Sequence, residues 1–173
     1  MPTANAGDVN TSTKSGVKEF VFGKMATQQA ANIAAGDHLK FDTIVASRGG
    51  SAVLDTATAY VTTIGAASIG RVSLKAGLTY RLRCSIPYIL GSGATTLLDV
   101  QFYDATGNAA LPGSVATYLN AATATFDQGG GSAEAIFSPG VDSLVEVRIL
   151  TATALTQIGV TANRHPTIFV ETM

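Results

Sequence analysis

The sequence predicts an all-β fold built from antiparallel strands. Apolar and polar residues alternate with period two along several segments, which is the pattern of strands buried on one face. Clusters of glycine, serine, asparagine and proline separate these segments at intervals typical of a sandwich, a jelly roll or a barrel. The 22 threonines also favour strands, because β-branched side chains pack well on a pleated surface. We therefore expect about eight to ten short strands in one of these three architectures.

The first 24 residues differ from the rest of the chain, since they are rich in threonine, serine, asparagine, glycine and lysine. Such a segment buries too little apolar surface to become ordered alone. Its short β-prone patch, Val17–Phe22, is interpreted either as a strand that folds back onto this domain or as an arm that orders only against a partner. We divide the chain into an extended arm over residues 1–24 and a β domain over residues 25–173.

The same N-terminal segment has no basic leader followed by an apolar run of about 7–15 residues, so we expect no secretory signal. We therefore expect the protein to be made in the cytoplasm of the producing cell. It then either acts inside that cell or leaves it by a route such as lysis. Beyond the arm, Ala26–Ala35 is rich in alanine, and we expect an extended linker there rather than a helical turn.

Four segments give the strongest strand predictions. In the first, Leu78, Tyr80, Leu82, Cys84 and Ile86 alternate with polar residues that include Arg81 and Arg83. The other three have apolar faces at 98, 100 and 102, at 145, 147 and 149, and at 168 and 170. Weaker candidates cover residues 39–45, 57–63, 69–74, 115–126 and 133–137.

The charge composition excludes several classes of function. Only 13% of residues are charged and the formal net charge is -1, so the clustered lysine and arginine that nucleic acids and anionic membranes require are absent. No apolar run approaches the roughly 20 residues of a membrane-spanning helix. The 27 alanines and 18 glycines instead suit positions where the backbones of neighbouring subunits approach closely.

Catalytic signals are weak. His38 and His165 lie in no metal-ligand spacing and are interpreted as turn or loop residues. Cys84 falls on the apolar face of its strand and is interpreted as a small core residue. The acids are scattered, with Asp99 and Asp104 close only in sequence. We expect no enzyme, no catalytic residue, no metal and no cofactor.

Two stretches carry a family resemblance, residues 36–43 and residues 69–82, the second with Leu74, Gly77, Tyr80 and Leu82 around a glycine turn. Together with residues 138–147 and 166–171, they resemble C1q/TNF-like jelly-roll domains over roughly residues 33–173. The resemblance implies an antiparallel jelly-roll β-sandwich and a homotrimer packed around a threefold axis. No collagen-like stalk precedes the domain, and a small knob rich in alanine, threonine and glycine is similar to bacteriophage head decoration proteins, head fibres and fibre tips.

The sequence thus leads to one hypothesis and one alternative. The hypothesis is a trimeric decoration protein on the outer surface of a phage capsid, attached to the major capsid protein through arm residues Val17, Phe20, Val21 and Phe22. The alternative is the receptor-binding knob of a fibre or tail, which recognises a glycan or protein on the host surface. Tyr103 and Tyr118 are assigned to the trimer interface or, in the alternative, to stacking against sugars.

Overall fold

The computed structural model describes residues 17–87, 89–91, 95–121, 132–159 and 164–173. These residues form antiparallel strands and contain no helix. The strands are β1 (Phe20–Lys24), β2 (Thr43–Arg48), β3 (Ala52–Leu54), β4 (Val72–Leu74), β5 (Tyr80–Ser85), β6 (Ile89–Gly91), β7 (Thr95–Asp104), β8 (Ala109–Ala110), β9 (Ala116–Ala121), β10 (Ala133–Phe137), β11 (Ser143–Thr153), β12 (Leu155–Ile158) and β13 (Thr167–Thr172).

Two large sheets form the domain. Sheet I has five strands in the order β10-β5-β13-β1-β2. Sheet II has six strands, in the order β3-β4-β11-β7-β8 with β9 also paired to β7. A ribbon of β12 and β6 completes the set. The all-β antiparallel prediction is therefore confirmed.

The core lies between the two sheets and is filled by the apolar faces that the alternation predicted. Sheet I contributes Tyr80, Leu82 and Cys84 from β5 and Ile168 and Val170 from β13, all buried. Sheet II contributes the inward side chains of β7 and β11, which are Leu98, Val100, Phe102, Val145, Val147 and Ile149. Burying each side chain of this size stabilises the fold by about 1.5–3 kcal/mol. These four strands therefore contribute much of the hydrophobic stabilisation of the sandwich.

The patch at the start of the described chain forms β1 within sheet I. Each of its residues pairs with β13 on one side and with β2 on the other. Of the two interpretations of this patch, the structure has the strand that folds back onto its own domain. Residues 20–24 are thus part of the sandwich, and residues 1–16 lie outside the described chain.

The segment between β3 and β4 is a loop, so the strand predicted over residues 57–63 was wrong. We call residues 55–70 the strap. Its ends are held together because Asp55 N donates to Arg71 O at 2.8 Å and Gly70 N donates to Asp55 O at 2.8 Å. The strap lacks a paired neighbour strand and lies over the outer face of sheet II, as its side-chain contacts below show.

Gly70 allows the strap to reach the sheet. Its φ is +88°, and a Cβ atom on it would stand 2.1 Å from the carbonyl oxygen of Leu39. Only glycine adopts this backbone conformation without strain and leaves room for the approach. The segment around Leu39 is itself tied to β11, since Leu39 N donates to Val147 O at 2.9 Å.

Candidate functional site

The outer face of sheet I is not covered by any other segment among the residues that the structure describes. Strand pairing places them in rows across the sheet. One row runs Glu134, Arg83, Phe169, Phe22 and Ala46, each opposite the next on the neighbouring strand. Since cross-strand partners point to the same side, the row lies on one surface.

Three phenylalanines lie together at the middle of this surface, and we call Phe20, Phe22 and Phe169 the phenylalanine cluster. The ring centroid of Phe169 is 5.9 Å from that of Phe20 and 6.2 Å from that of Phe22, with the second pair edge to face. These are favourable aromatic geometries. All three rings are only half-buried, so the cluster offers apolar area to a partner.

Charged groups lie beside the cluster. Glu134 binds two arginines, with Arg83 Nη2 at 2.8 Å from Oε1 and Arg81 Nη2 at 3.2 Å from Oε2. Hydrogen bonds from Arg83, then from Arg81, lower the pKa of Glu134. Ile136 and Met173 lie nearby and are 66% and 64% exposed. The surface therefore has an apolar centre with paired charges at its side, which is how many protein interfaces are built.

The outer face of sheet II is different, because the strap covers the part of it around Glu146 and charged residues lie beneath the strap. His38, Arg71, Glu146 and Arg148 form what we call the buried ion cluster. Arg71 Nε donates to Glu146 Oε2 at 2.7 Å, and Arg148 Nε donates to Glu146 Oε1 at 2.7 Å. The side chains of Arg71 and Glu146 are fully buried.

The cluster binds the strap directly. Arg71 Nη1 donates to the carbonyl oxygens of Thr63, at 2.8 Å, and Ala66. Tyr60 stacks on His38 with ring centroids 4.4 Å apart, and its hydroxyl donates to Asp37 Oδ1 at 3.1 Å. The strap is thus attached through charged and aromatic groups rather than through a second apolar core.

Comparison with solved structures identifies the fold. The chain superposes on murine APRIL with a TM-score of 0.53 at 11% identity, covering 90% of this chain and 99% of that one. It superposes on Eiger TNF from S. frugiperda with a TM-score of 0.51 at 14% identity, covering 91% and 92%. The fold is a TNF-like jelly roll.

The PRD1 vertex protein P5 aligns with a TM-score of 0.43 at 16% identity, covering 90% of this chain and 94% of that one. No family model matches the sequence, and no curated protein sequence matches it. The conclusion about the fold therefore rests on the two TNF-related structures.

The jelly roll places the four predicted arm residues differently from one another. Val21 is buried in the core, so its assignment to a partner contact is corrected. Because side chains alternate along β1, Val21 points inward while Phe20 and Phe22 point to the outer face. Phe20 and Phe22 point outward and belong to the phenylalanine cluster with Phe169. Val17 precedes β1 and is 50% exposed.

The two predicted interface tyrosines are also separated. Tyr118 is 2% exposed, because it points from β9 into the sandwich, so its assignment to a surface role is corrected. Burial raises the pKa of its phenol. Tyr103 is half-buried on the outer face of sheet II, where the Arg148 guanidinium carbon lies 3.4 Å from its ring centroid. Neither ring is free to stack on a ligand in this arrangement.

The remaining candidates for chemistry have structural partners. Cys84 is in the core, and burial raises the pKa of its thiol. His165 Nδ1 lies 3.1 Å from Met25 O, and Asp99 accepts from Thr117 Oγ1 at 2.6 Å. Among the described residues, no group of three or more histidines, cysteines or acids could hold a metal ion. No helix in the same part of the chain is long and apolar enough to cross a membrane.

Sequence reasoning missed two parts of these surfaces. It assigned no role to Phe169, which meets β1 only because strands from opposite ends of the chain are neighbours. It interpreted His38 as a turn residue, although the ring is fully buried against the strap. A usable signal existed for Glu146 and Arg148, since both alternate with the apolar run Val145, Val147 and Ile149 in the middle of a long strand.

Proposed function

We propose that this chain is a structural protein of a bacteriophage virion, a homotrimeric jelly-roll knob that decorates the outer surface of the capsid. The observation that carries the proposal is the phenylalanine cluster, half-buried on a sheet face without a covering layer. Neighbouring aromatic rings that remain partly exposed on a sheet face are typical of a surface that contacts another protein.

A second copy of the chain suits this surface. The centre is aromatic, the nearby Ile136 and Met173 are highly exposed, and two of the arginines beside it, Arg81 and Arg83, are already paired with Glu134. Paired charges lose less on burial than free charges do, since each keeps its counter-ion. The low charge content of the whole chain, 13%, fits a protein with much of its surface in subunit contacts.

Attachment to the capsid is assigned to the segment before β1. Because β1 is fixed within sheet I, the segment available to the major capsid protein ends near Val17. A trimer carries this segment in three copies, and multivalent contacts give firm binding even when each contact is weak.

The alternative of a receptor-binding knob gains no comparable support from the candidate tyrosines. Tyr118 is in the core, and the ring of Tyr103 already holds the Arg148 guanidinium. We therefore prefer the decoration role, and glycan-array binding at useful affinity would reverse that preference.

Sedimentation tests the oligomer. At micromolar concentration, we expect a mass near three times that of the 17.7 kDa monomer. Phe169→Glu puts a charge at the centre of the cluster and is expected to give monomers. The matched control is Val53→Glu, at a 50% exposed position of sheet II, and should remain trimeric. A stable wild-type monomer would contradict the trimer.

Co-sedimentation with purified capsids tests the attachment. The full chain is expected to pellet with capsids that lack it, and a variant without residues 1–16 is expected to stay in the supernatant as a trimer. Binding by the truncated trimer would remove the arm from the proposal. No binding by the full chain would remove the decoration role itself.

A further inference from the structure

His38 lies at the centre of the contacts between the strap and sheet II. Its Nε2 is 3.1 Å from Ile69 O and 3.1 Å from Ser68 Oγ, and both partners belong to the strap. A carbonyl oxygen only accepts hydrogen bonds, so Nε2 carries the proton of the neutral ring. The other nitrogen, Nδ1, faces Glu146 Oε2 at 3.6 Å.

We propose that His38 is an acid-sensitive latch, whose protonation loosens the strap from sheet II while the jelly-roll sandwich stays folded. The strap is the movable part because it has no strand partner between its ends and exposes residues 62–65. The proposal concerns this face of the monomer alone and does not depend on the virion role.

Charged groups approach His38 from several elements, and they act on a proton there in opposite directions. From β11, Glu146 and Arg148 face it, Arg71 approaches from the start of β4, and its own segment brings Asp37 and Lys40. The strap adds the neutral phenol of Tyr60. Glu146 and Asp37 favour a proton on His38 and Arg71 opposes it, so the main obstacle to protonation in the closed state is the burial of the ring away from water.

The new proton also competes for a particular oxygen. It can only be added at Nδ1, which faces Glu146 Oε2, and that oxygen is the acceptor of Arg71 Nε. Arg71 holds the strap through Thr63 O and Ala66 O. A carboxylate oxygen can accept two hydrogen bonds, but a bond from Nδ1 shares the acceptor that positions Arg71, so we expect the two contacts of Arg71 with strap carbonyls to weaken.

The direction of the pH effect follows from burial. Desolvation, reinforced by Arg71, lowers the pKa of His38 below its ordinary value of 6.5, although Glu146 and Asp37 oppose the shift. The closed strap thus binds the proton more weakly than the open strap does. The contribution of His38 to closure is complete above pH 6.5 and is lost as the pH falls from there towards the lowered pKa.

Hydrogen exchange followed by mass spectrometry tests the latch on the full chain. Between about pH 7.5 and about pH 5, after correction for intrinsic exchange, we expect strap opening to increase, by at most about tenfold for each pH unit below 6.5. Strands β5 and β13 should keep their protection. Exchange of the strap that does not depend on pH, or simultaneous loss of protection in those strands, would overturn the proposal.

Two variants identify the titrating group. His38→Gln keeps a donor for Ile69 O but does not titrate. Hydrogen exchange of the strap in this variant should therefore not depend on pH, even if its rate at neutral pH differs from that of the wild type. His165→Gln changes the other histidine, which contacts Met25 O outside the strap, and should keep the full response. An equal response in His38→Gln would contradict the latch.

A direct measurement protects the test against a misfolded variant. The ring nitrogens of His38 can be titrated by NMR in the unmodified protein. Protonation of His38 is expected in the same pH range as strap opening. Opening that is complete while the ring is still neutral would assign the effect to another group.

Discussion

The two sheets of this domain differ in how their outer faces are treated. Part of sheet II is covered by the chain itself, through a strap that lies over Glu146, Arg71 and His38. Among the residues that the structure describes, no such cover lies over sheet I, which presents Phe20, Phe22 and Phe169. The chain therefore buries charges on one side of the sandwich and leaves aromatic rings half-exposed on the other.

This is the reverse of the usual distribution in a monomer, in which charged residues are mostly exposed and aromatic residues are mostly buried. The difference teaches that each face is completed in its own way. The charges are stable under the strap because each has a partner close by. The rings pack on one another but remain partly exposed, which is why we assign that face to subunit contacts.

The largest expected effect comes from removing the central acid of the covered face. Glu146→Ala leaves Arg71 buried without its ion-pair partner, and loss of one member of a buried pair costs about 3–5 kcal/mol. Denaturant unfolding should show a correspondingly lower free energy of unfolding with an unchanged slope.

The matched change on the open face is Glu134→Ala. Glu134 also pairs with two arginines, but all three side chains are reached by water. Solvent-exposed ion pairs contribute little, so we expect a midpoint close to that of the wild type. Equal effects of the two substitutions would show that the faces do not differ as described.

The next effect concerns the close approach of the strap to the sheet. Gly70→Ala requires a left-handed alanine and a Cβ atom 2.1 Å from Leu39 O. Gly77→Ala requires a left-handed alanine too, with φ +78°, but has no atom within 4 Å of the new Cβ. We expect Gly77→Ala to cost about 1–2 kcal/mol from backbone strain alone. Gly70→Ala should cost at least about 2 kcal/mol more, measured by thermal or denaturant unfolding.

The smallest effect comes from one hydroxyl of the strap. Tyr60→Phe removes the bond to Asp37 Oδ1 and leaves His38 N without its acceptor at 3.0 Å. A loss of about 0.5–1.5 kcal/mol is expected for such a contact. The measurement is the increase in hydrogen exchange of the strap at neutral pH. Tyr103→Phe is the control, because its hydroxyl donates to the exposed Asn108 and not to the strap, and it should leave strap exchange unchanged.

Much of the fold could be predicted from the sequence, because each long strand buries one face in the same core. The inward residues Leu82, Val100, Val147 and Ile168 follow directly from alternation. Alternation says less about where a strand begins. Leu78 fits the apolar pattern, yet it is exposed, because the turn at Gly77 delays the start of β5 to Tyr80.

The two functional surfaces were harder to predict, for one physical reason. Alternation correctly places Glu146 on the outer side of its strand but cannot show that a loop covers it. Arg71, its partner, is 75 residues away in the chain. The strap itself has no periodicity that would reveal its path. Phe169 likewise joins Phe22 only through the pairing of strands from opposite ends of the sequence.

The position of β1 has a mechanical consequence. A pulling force that reaches the domain through residue 17 is delivered to a strand held between β13 and β2 by five register pairs on each side. Extracting that strand requires both ladders to fail, whereas an edge strand can be peeled from a single neighbour. If the preceding segment is anchored to a particle, shear acting on the exposed knob is transferred to an inner strand of sheet I, which hydrogen bonds hold on both sides.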